Sequence, residues 1–123
     1  MNIKSMGLAW IVSSDLTASK QFFNKVLGLT LVQDSAEHGW MELCAQDNAF
    51  RLGVGKDCSS MPVRAGNNAI LTFTVADIQL AKKHLEQNNV TILGDIVEVP
   101  GHVKMLMFTD PDKNIFQIVE MLS

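Results

Sequence analysis

Two parts of the chain alternate between apolar residues on either side of a strand and then pass, through an Asp, into a helical period. The first is LAWIVSSDLTASKQFF, beginning at Leu8, and the second is ILTFTVADIQLAKKHL, beginning at Ile70. Superposing Leu8 on Ile70 brings Asp15 onto Asp77, Leu16 onto Ile78 and Lys20 onto Lys82. With one residue deleted near Gly28, LTLV at 29–32 falls on VTIL at 90–93. The chain therefore reads as two similar halves, about 5–56 and about 67–121, within a single domain. The polar, Pro- and Gly-containing stretch KDCSSMPVRAGNN (56–68) separates them, with the linker proper at 57–66.

Each half follows one order: strand, helix, then three strands. The opening strands are predicted at about 6–13 and 69–76. Asp15 and Asp77 stand where an N-cap carboxylate would accept from the free amides of the first turn. Ala18, Phe22, Phe23 and Val26 make the apolar face of the first helix; Ile78, Ala81 and Leu85 make that of the second. Gly28 is expected to stop the first helix and Asn88-Asn89 the second. The later strands are predicted near 29–34, 40–45 and 49–55, and near 91–98, 103–109 and 115–121. Gln46-Asp47-Asn48 and Asp110-Pro111-Asp112-Lys113-Asn114 supply the hairpin turns. The fold class is α+β, two tandem βαβββ modules whose curved mixed sheet surrounds a cup-shaped cavity.

Strand residues alternate between faces, so each sheet has a side for its helix and a side left over. Ala9 and Ile11 suit the helix side, which leaves Leu8, Trp10 and Val12 opposite. Met41, Leu43, Phe50, Leu52 and Val54 are assigned to the helix, and Trp40, Glu42, Cys44, Ala49 and Arg51 to the other face. In the second half Leu71, Phe73, Val75, Phe108, Phe116 and Ile118 go under the helix. Ile70, Thr72, Thr74, Met105, Met107, Ile115, Gln117 and Val119 remain. This remaining surface mixes Trp and Met with isolated polar groups, a lining that suits a small organic ligand. The competing expectation is that it packs against the other half or a second subunit. The polar members weigh against that, because burying them without partners is costly.

Composition narrows the function classes. At 47% hydrophobic residues the 123-residue chain can bury a core, and a net charge of -3 argues against nucleic acid. No apolar run reaches the ~20 residues of a membrane span, and the N-terminal stretch lacks a signal-peptide h-region. Cys44 and Cys58 form no spacing motif and read as two free thiols of a cytoplasmic protein.

The motifs DLTASKQFFNKVLGL (15–29) and DPDKNIFQI (110–118), together with the repeat, resemble the vicinal oxygen chelate superfamily. It includes glyoxalase I, extradiol dioxygenases, fosfomycin-resistance enzymes and bleomycin-binding proteins. The resemblance covers nearly the whole chain. It implies the fold more specifically than the chemistry, since one fold hosts several reactions. It also implies a metal site in many members: a His early in the first strand of each half, a carboxylate in the last strand, and a fourth ligand from half one. Carried onto this chain, the two His positions fall at Leu8 and Ile70, the carboxylate at Gln117, and the fourth at Arg51. Two side chains without donors, an amide and a guanidinium are a poor set for a divalent ion. No metal and no other cofactor is expected.

Nor do the histidines rebuild such a site. His38, His84 and His102 fall on a loop, a helix and a turn, although His102 with Lys104 could meet an anionic ligand at the rim. Glu42 could be a general base, a counter-charge for a cationic ligand, or the partner of Arg51. Cys44 has no basic neighbour close in sequence to activate it. The expected function is metal-free binding of an aromatic or cationic compound, to sequester or sense it. The expected ligand contacts are Leu8, Trp10, Val12, Trp40, Glu42 and Arg51 in half one, and Ile70, Thr72, Thr74, Met105, Met107 and Gln117 in half two. The alternatives are a metal-dependent glyoxalase-like lyase, isomerase or dioxygenase with unusual ligands, and a partner-binding module with its cup filled. Exposed sheet edges, with the pairing of modules that the resemblance implies, lead to a homodimer; the expected partner is a small organic molecule, with neither nucleic acid nor membrane expected from charge and composition.

Overall fold

A computed structural model of the protein describes residues 1–2, 7–59, 64–68 and 70–122. It divides into two units, 1–68 and 69–123. The first contains β1 (Leu8–Ser13), α1 (Leu16–Lys20), β2 (Thr30–Ser35), β3 (Trp40–Cys44) and β4 (Arg51–Lys56). The second contains β5 (Leu71–Thr74), α2 (Ile78–Gln87), β6 (Ile92–Val99), β7 (Val103–Thr109) and β8 (Ile115–Met121). The starts expected at residues 6 and 69, and the linker residues 60–63, lie outside the described residues.

The expected tandem of strand–helix–three-strand modules is present, each with a four-stranded mixed sheet of its own. The orders are β1-β4-β3-β2 and β5-β8-β7-β6. In both, the first strand runs parallel to the last and the other neighbours are antiparallel. A parallel pair cannot be joined by a tight turn, so the helix carries the chain across the sheet face before the next two strands are laid down.

Both helices begin as their Asp residues dictate. Asp15 is extended and its Oδ1 accepts from the Thr17 and Ala18 amides at 3.0 and 3.2 Å. Asp77 repeats this with Gln79 and Leu80 at 2.9 and 3.1 Å. Each cap contributes about 1 kcal/mol. A second polar group supports each start. Ser13 Oγ accepts from the Asp15 amide at 3.1 Å and shares a 2.6 Å hydrogen bond with Ser19 Oγ, both serines being fully buried. In the second module Glu120 Oε1 accepts from the Ile78 amide at 2.8 Å. Glu120 thus completes the helix side of β8, beside Phe116 and Ile118.

The stops also follow the sequence. Gly28 has φ +77° and lets the Leu29 amide donate back to Phe23 O at 3.0 Å. Asn89 takes φ +59°, and Asn88 Nδ2 donates to His84 O at 2.9 Å. Between Lys20 and Gly28, α1 continues as a π-helical stretch, Gln21–Val26. There the Leu27 amide donates to Phe22 O at 2.9 Å, spanning five residues.

The helix-side faces form the cores. Ile11, Met41, Leu43, Leu52 and Val54 are buried with Phe22 and Phe23 in the first module. In the second, Leu106, Phe108, Phe116 and Ile118 are buried with Ile78 and Leu85, and Phe116 stacks on Phe73 and Phe108. One assignment is corrected. Phe50 does not join the first core: β4 starts at Arg51, and Phe50 in the preceding turn is 44% exposed. The turn before β8 is tightly built. Asp110 accepts from the Asp112 amide (3.0 Å), the Asn114 amide (2.8 Å) and Asn114 Nδ2 (2.8 Å), and both residues are buried.

Candidate functional site

In the first module the face away from α1 is built around two glycines. Strand register sets Trp10 opposite Gly53 on β4 and Val12 opposite Gly55. On the other side of β4, Glu42 meets Gly53 and Trp40 meets Gly55. Side chains at paired positions share a face, so both indoles project over the backbone of Gly53 and Gly55. A Cβ on Gly53 would lie 2.5 Å from Trp40 Cη2 and Cζ2, and 3.0 Å from Trp10 Cβ. One on Gly55 would lie 3.3 Å from Trp10 Cζ3 and 3.4 Å from Trp40 Cε3 and Cζ3. The missing side chains form a shelf on which Trp40 rests, with Trp10 beside it. The ring centroids are 5.9 Å apart at 54°.

Polar groups fix this arrangement. Trp40 Nε1 donates to Glu42 Oε2 at 2.9 Å, which orients the indole and occupies one carboxylate oxygen. Glu42 Oε1 faces Arg51 Nη1 at 4.0 Å, the outer limit of an ion pair. Glu42 is therefore shared between Trp40 and Arg51. Trp10 keeps 39% of its surface exposed and Leu8, opposite Arg51, is likewise exposed. Val12 is only 3% exposed, so it forms floor rather than contact surface. Cys44 is buried opposite Arg51, and neither it nor Cys58 is in a disulfide.

The second module carries a different face. Gln117 on β8 lies between Thr72 on β5 and Met107 on β7, and its Oε1 accepts from Thr72 Oγ1 at 3.1 Å. Thr74 and Met105 flank Val119 one repeat further on. Ile70 is exposed just ahead of β5. Gln117 is thus half-buried and partnered, in a row of Thr, amide and thioether. His102 precedes β7 in an exposed turn rather than opening the strand. Lys104 pairs with Glu120 on the helix side, so no His102–Lys104 pair forms on this face. His38 is exposed beside Glu37, and His84 lies on α2.

Register also revises one equivalence between the halves. Sequence spacing matches Arg51 to Gln117, but Gln117 pairs with Thr72, the counterpart of Trp10, and Trp10 pairs with Gly53. The structural counterpart of Gln117 is therefore Gly53. The conclusion about metal is unaffected, since Leu8, Ile70, Gln117 and either Gly53 or Arg51 still lack a set of nitrogen and carboxylate donors. The residues present do not fit a divalent ion at the superfamily's positions. Among the described residues there is no group of three or more His, Cys, Asp or Glu that could hold one elsewhere.

Two carboxyls have shifted acidity, and neither belongs to these faces. Burial pushes Asp110 above its ordinary value, against the pull of its hydrogen bonds from Asn114 and Asp112. The Lys20 ammonium, 2.9 Å away, holds Asp34 below its ordinary value.

Gly53 and Gly55 were not among the residues singled out from the sequence. Their signal was present: glycines two apart in a strand put both gaps on one face, where another group can approach closely.

The two βαβββ modules thus present different sheet faces, one of two indoles with Glu42 and Arg51, the other of Thr72, Gln117 and Met107. The model of the Glyoxalase/Bleomycin resistance protein/Dioxygenase superfamily matches residues 5–118, and the chain belongs to this family. Among solved structures it is similar to an integron cassette protein from the mobile metagenome of V. cholerae, at 25% identity and TM-score 0.75 over 98% of this chain and 97% of that one. TnmS3, an antibiotic binding protein from Streptomyces sp. CB03234, is 22% identical with TM-score 0.79, covering 98% of both chains. A superfamily member from Sphaerobacter thermophilus is 23% identical with TM-score 0.80, covering 96% of this chain and 98% of its own. No curated protein matches the chain in sequence. No helix among the described residues is long and apolar enough to cross a membrane.

Proposed function

We propose that the protein binds a flat aromatic compound against Trp10 and Trp40, without a metal ion, to sequester or sense it. The observation that carries this reading is the glycine shelf: two indoles are held over Gly53 and Gly55 with Trp10 still 39% exposed. An aromatic ring gains most from a rigid aromatic neighbour that is already desolvated on one side. The donor set at Leu8, Ile70, Gln117 and Gly53 or Arg51 supports binding over metal chemistry. That the same fold serves antibiotic binding in TnmS3 adds support.

A homodimer belongs to the same reading. Leu93, Val97 and Val99 on β6 and Met121 on β8 are exposed apolar residues on one sheet face, where a second copy could cover them. The chain has two Trp residues, both on the proposed surface, so its intrinsic fluorescence reports on that site alone. Titration with a panel of planar aromatic compounds is expected to quench or shift this emission saturably, and Trp10→Ala to abolish binding. Saturable binding unaffected by Trp10→Ala, or about one tightly held divalent ion per purified chain, would overturn the reading.

A further inference from the structure

Resting on that reading, we propose that Arg51 makes the site selective for aromatic anions: a planar ring bearing a carboxylate or phenolate. The two charged groups on this face are not equally available. Glu42 has one oxygen engaged by Trp40 Nε1 at 2.9 Å and the other turned to Arg51. A ligand cation would have to compete for a carboxylate that already orients the indole. Arg51 makes one contact of 4.0 Å with Glu42 through Nη1, and its guanidinium carries five N–H donors. Half-exposed at the start of β4, it can present a planar fork to a second acceptor.

Spacing places the two interactions within one molecule. Arg51 and Gly53 are two apart on one strand, so their side-chain positions share a face about 7 Å apart. A bicyclic ring stacked on Trp10 and Trp40, which themselves cover Gly53, would bring a carboxylate at its end toward Arg51. Two parallel N–H···O bonds to a planar carboxylate are stronger and more directional than one bond to a neutral oxygen. Glu42 then acts as a positioning residue: it holds Trp40 and keeps the guanidinium at the edge of the shelf.

Calorimetric titration with three compounds of one shape separates the possibilities: naphthoate, naphthalenemethanol and naphthylmethylammonium. Naphthoate is expected to bind roughly tenfold or more tightly than the ammonium compound, with the alcohol between them. Arg51→Gln is expected to abolish the preference for naphthoate and, with the second Glu42 oxygen released, to let the ammonium compound bind at least as tightly. Glu42→Gln keeps an acceptor for Trp40 Nε1 and frees Arg51, so naphthoate should bind more tightly to it. Equal binding of the three compounds by the wild type, or a preference for the cation, would overturn the proposal while leaving aromatic binding at the Trp pair intact. An anion preference that survives Arg51→Gln would overturn it too. Binding of none of them, with Trp emission unchanged, would sink the aromatic-binding reading and this proposal with it.

Discussion

Gly53→Ala is a single-methyl test of the shelf. The added Cβ would stand 2.5 Å from two atoms of the Trp40 ring, whereas ordinary carbon contacts begin near ~3.5 Å. Either β4 or the ring must yield by roughly 1 Å. The strand is held on both sides, by β1 and β3, so the ring is the softer partner. Its displacement strains the 2.9 Å bond from Nε1 to Glu42, a loss of about 1 kcal/mol at this half-exposed position. Overpacking adds another ~1 kcal/mol, the low end of its range because the ring can move toward solvent. Against this, replacing Gly by Ala stiffens the unfolded chain by about 0.4–1 kcal/mol. The net destabilisation is therefore about 1 kcal/mol, a fall in Tm of roughly 3–5 °C. The larger effect should be optical and functional. The near-UV circular dichroism of the tilted Trp10–Trp40 pair should change, and aromatic ligand affinity should fall at least about tenfold. Unchanged near-UV spectra and affinity in a folded Gly53→Ala protein would show that the indoles do not depend on the shelf.

Three other outcomes follow from the structure. Glu120→Ala removes the acceptor of the Ile78 amide and should cost about 1 kcal/mol by urea denaturation, with Glu120→Gln costing less; an unchanged midpoint would refute its capping role. Because burial raises Asp110, the folded state holds that proton more firmly than the unfolded chain. Its contribution to stability should then fall as pH rises from about 4 into the mildly acidic range. Asp110→Asn should remove that slope, so the variant's stability relative to wild type should rise with pH over this range; a difference that is flat or falls would contradict the sign. Finally, Gln117→Glu should leave the protein without bound metal after loading with nickel, manganese or zinc, since one carboxylate beside Thr72 and Met107 is not a donor set. About one ion per chain by mass spectrometry would refute this.

What could be read from the sequence was what neighbouring residues decide together. Asp15 and Asp77 cap because their targets are two and three residues away. Alternation placed Trp10, Trp40, Glu42 and Gln117 on faces away from the helices because a strand has only two sides. Features joining distant segments were less legible. The Glu120 cap spans 42 residues. The Arg51–Gln117 match failed because Ala49 and Phe50 separate Asn48 from β4, whereas β8 begins directly after Asn114, and register depends on such lengths. Phe50 was misplaced for the same reason, since alternation cannot show where a turn ends. The glycine shelf escaped notice because its content is an absence of side chain, which matters only once the partner strands are known.

The π-helical stretch after α1 locates the one-residue misfit between the two halves. The repeat aligns Leu29 with Val90 only after one residue is removed near Gly28. Across Gln21–Val26 the Leu29 amide reaches back six residues to Phe23 O, whereas at the end of α2 the equivalent Val90 amide reaches back five to Leu85 O. The misfit between the two halves thus has a physical address. The extra residue of the first half is accommodated by a widened helical turn, with the cap at Asp15 and the stop at Gly28 kept in place. Within the repeat the gap belongs after Phe23, because Phe23 then stays on Leu85 and both are core residues, whereas a gap placed earlier would slide Phe23 onto His84.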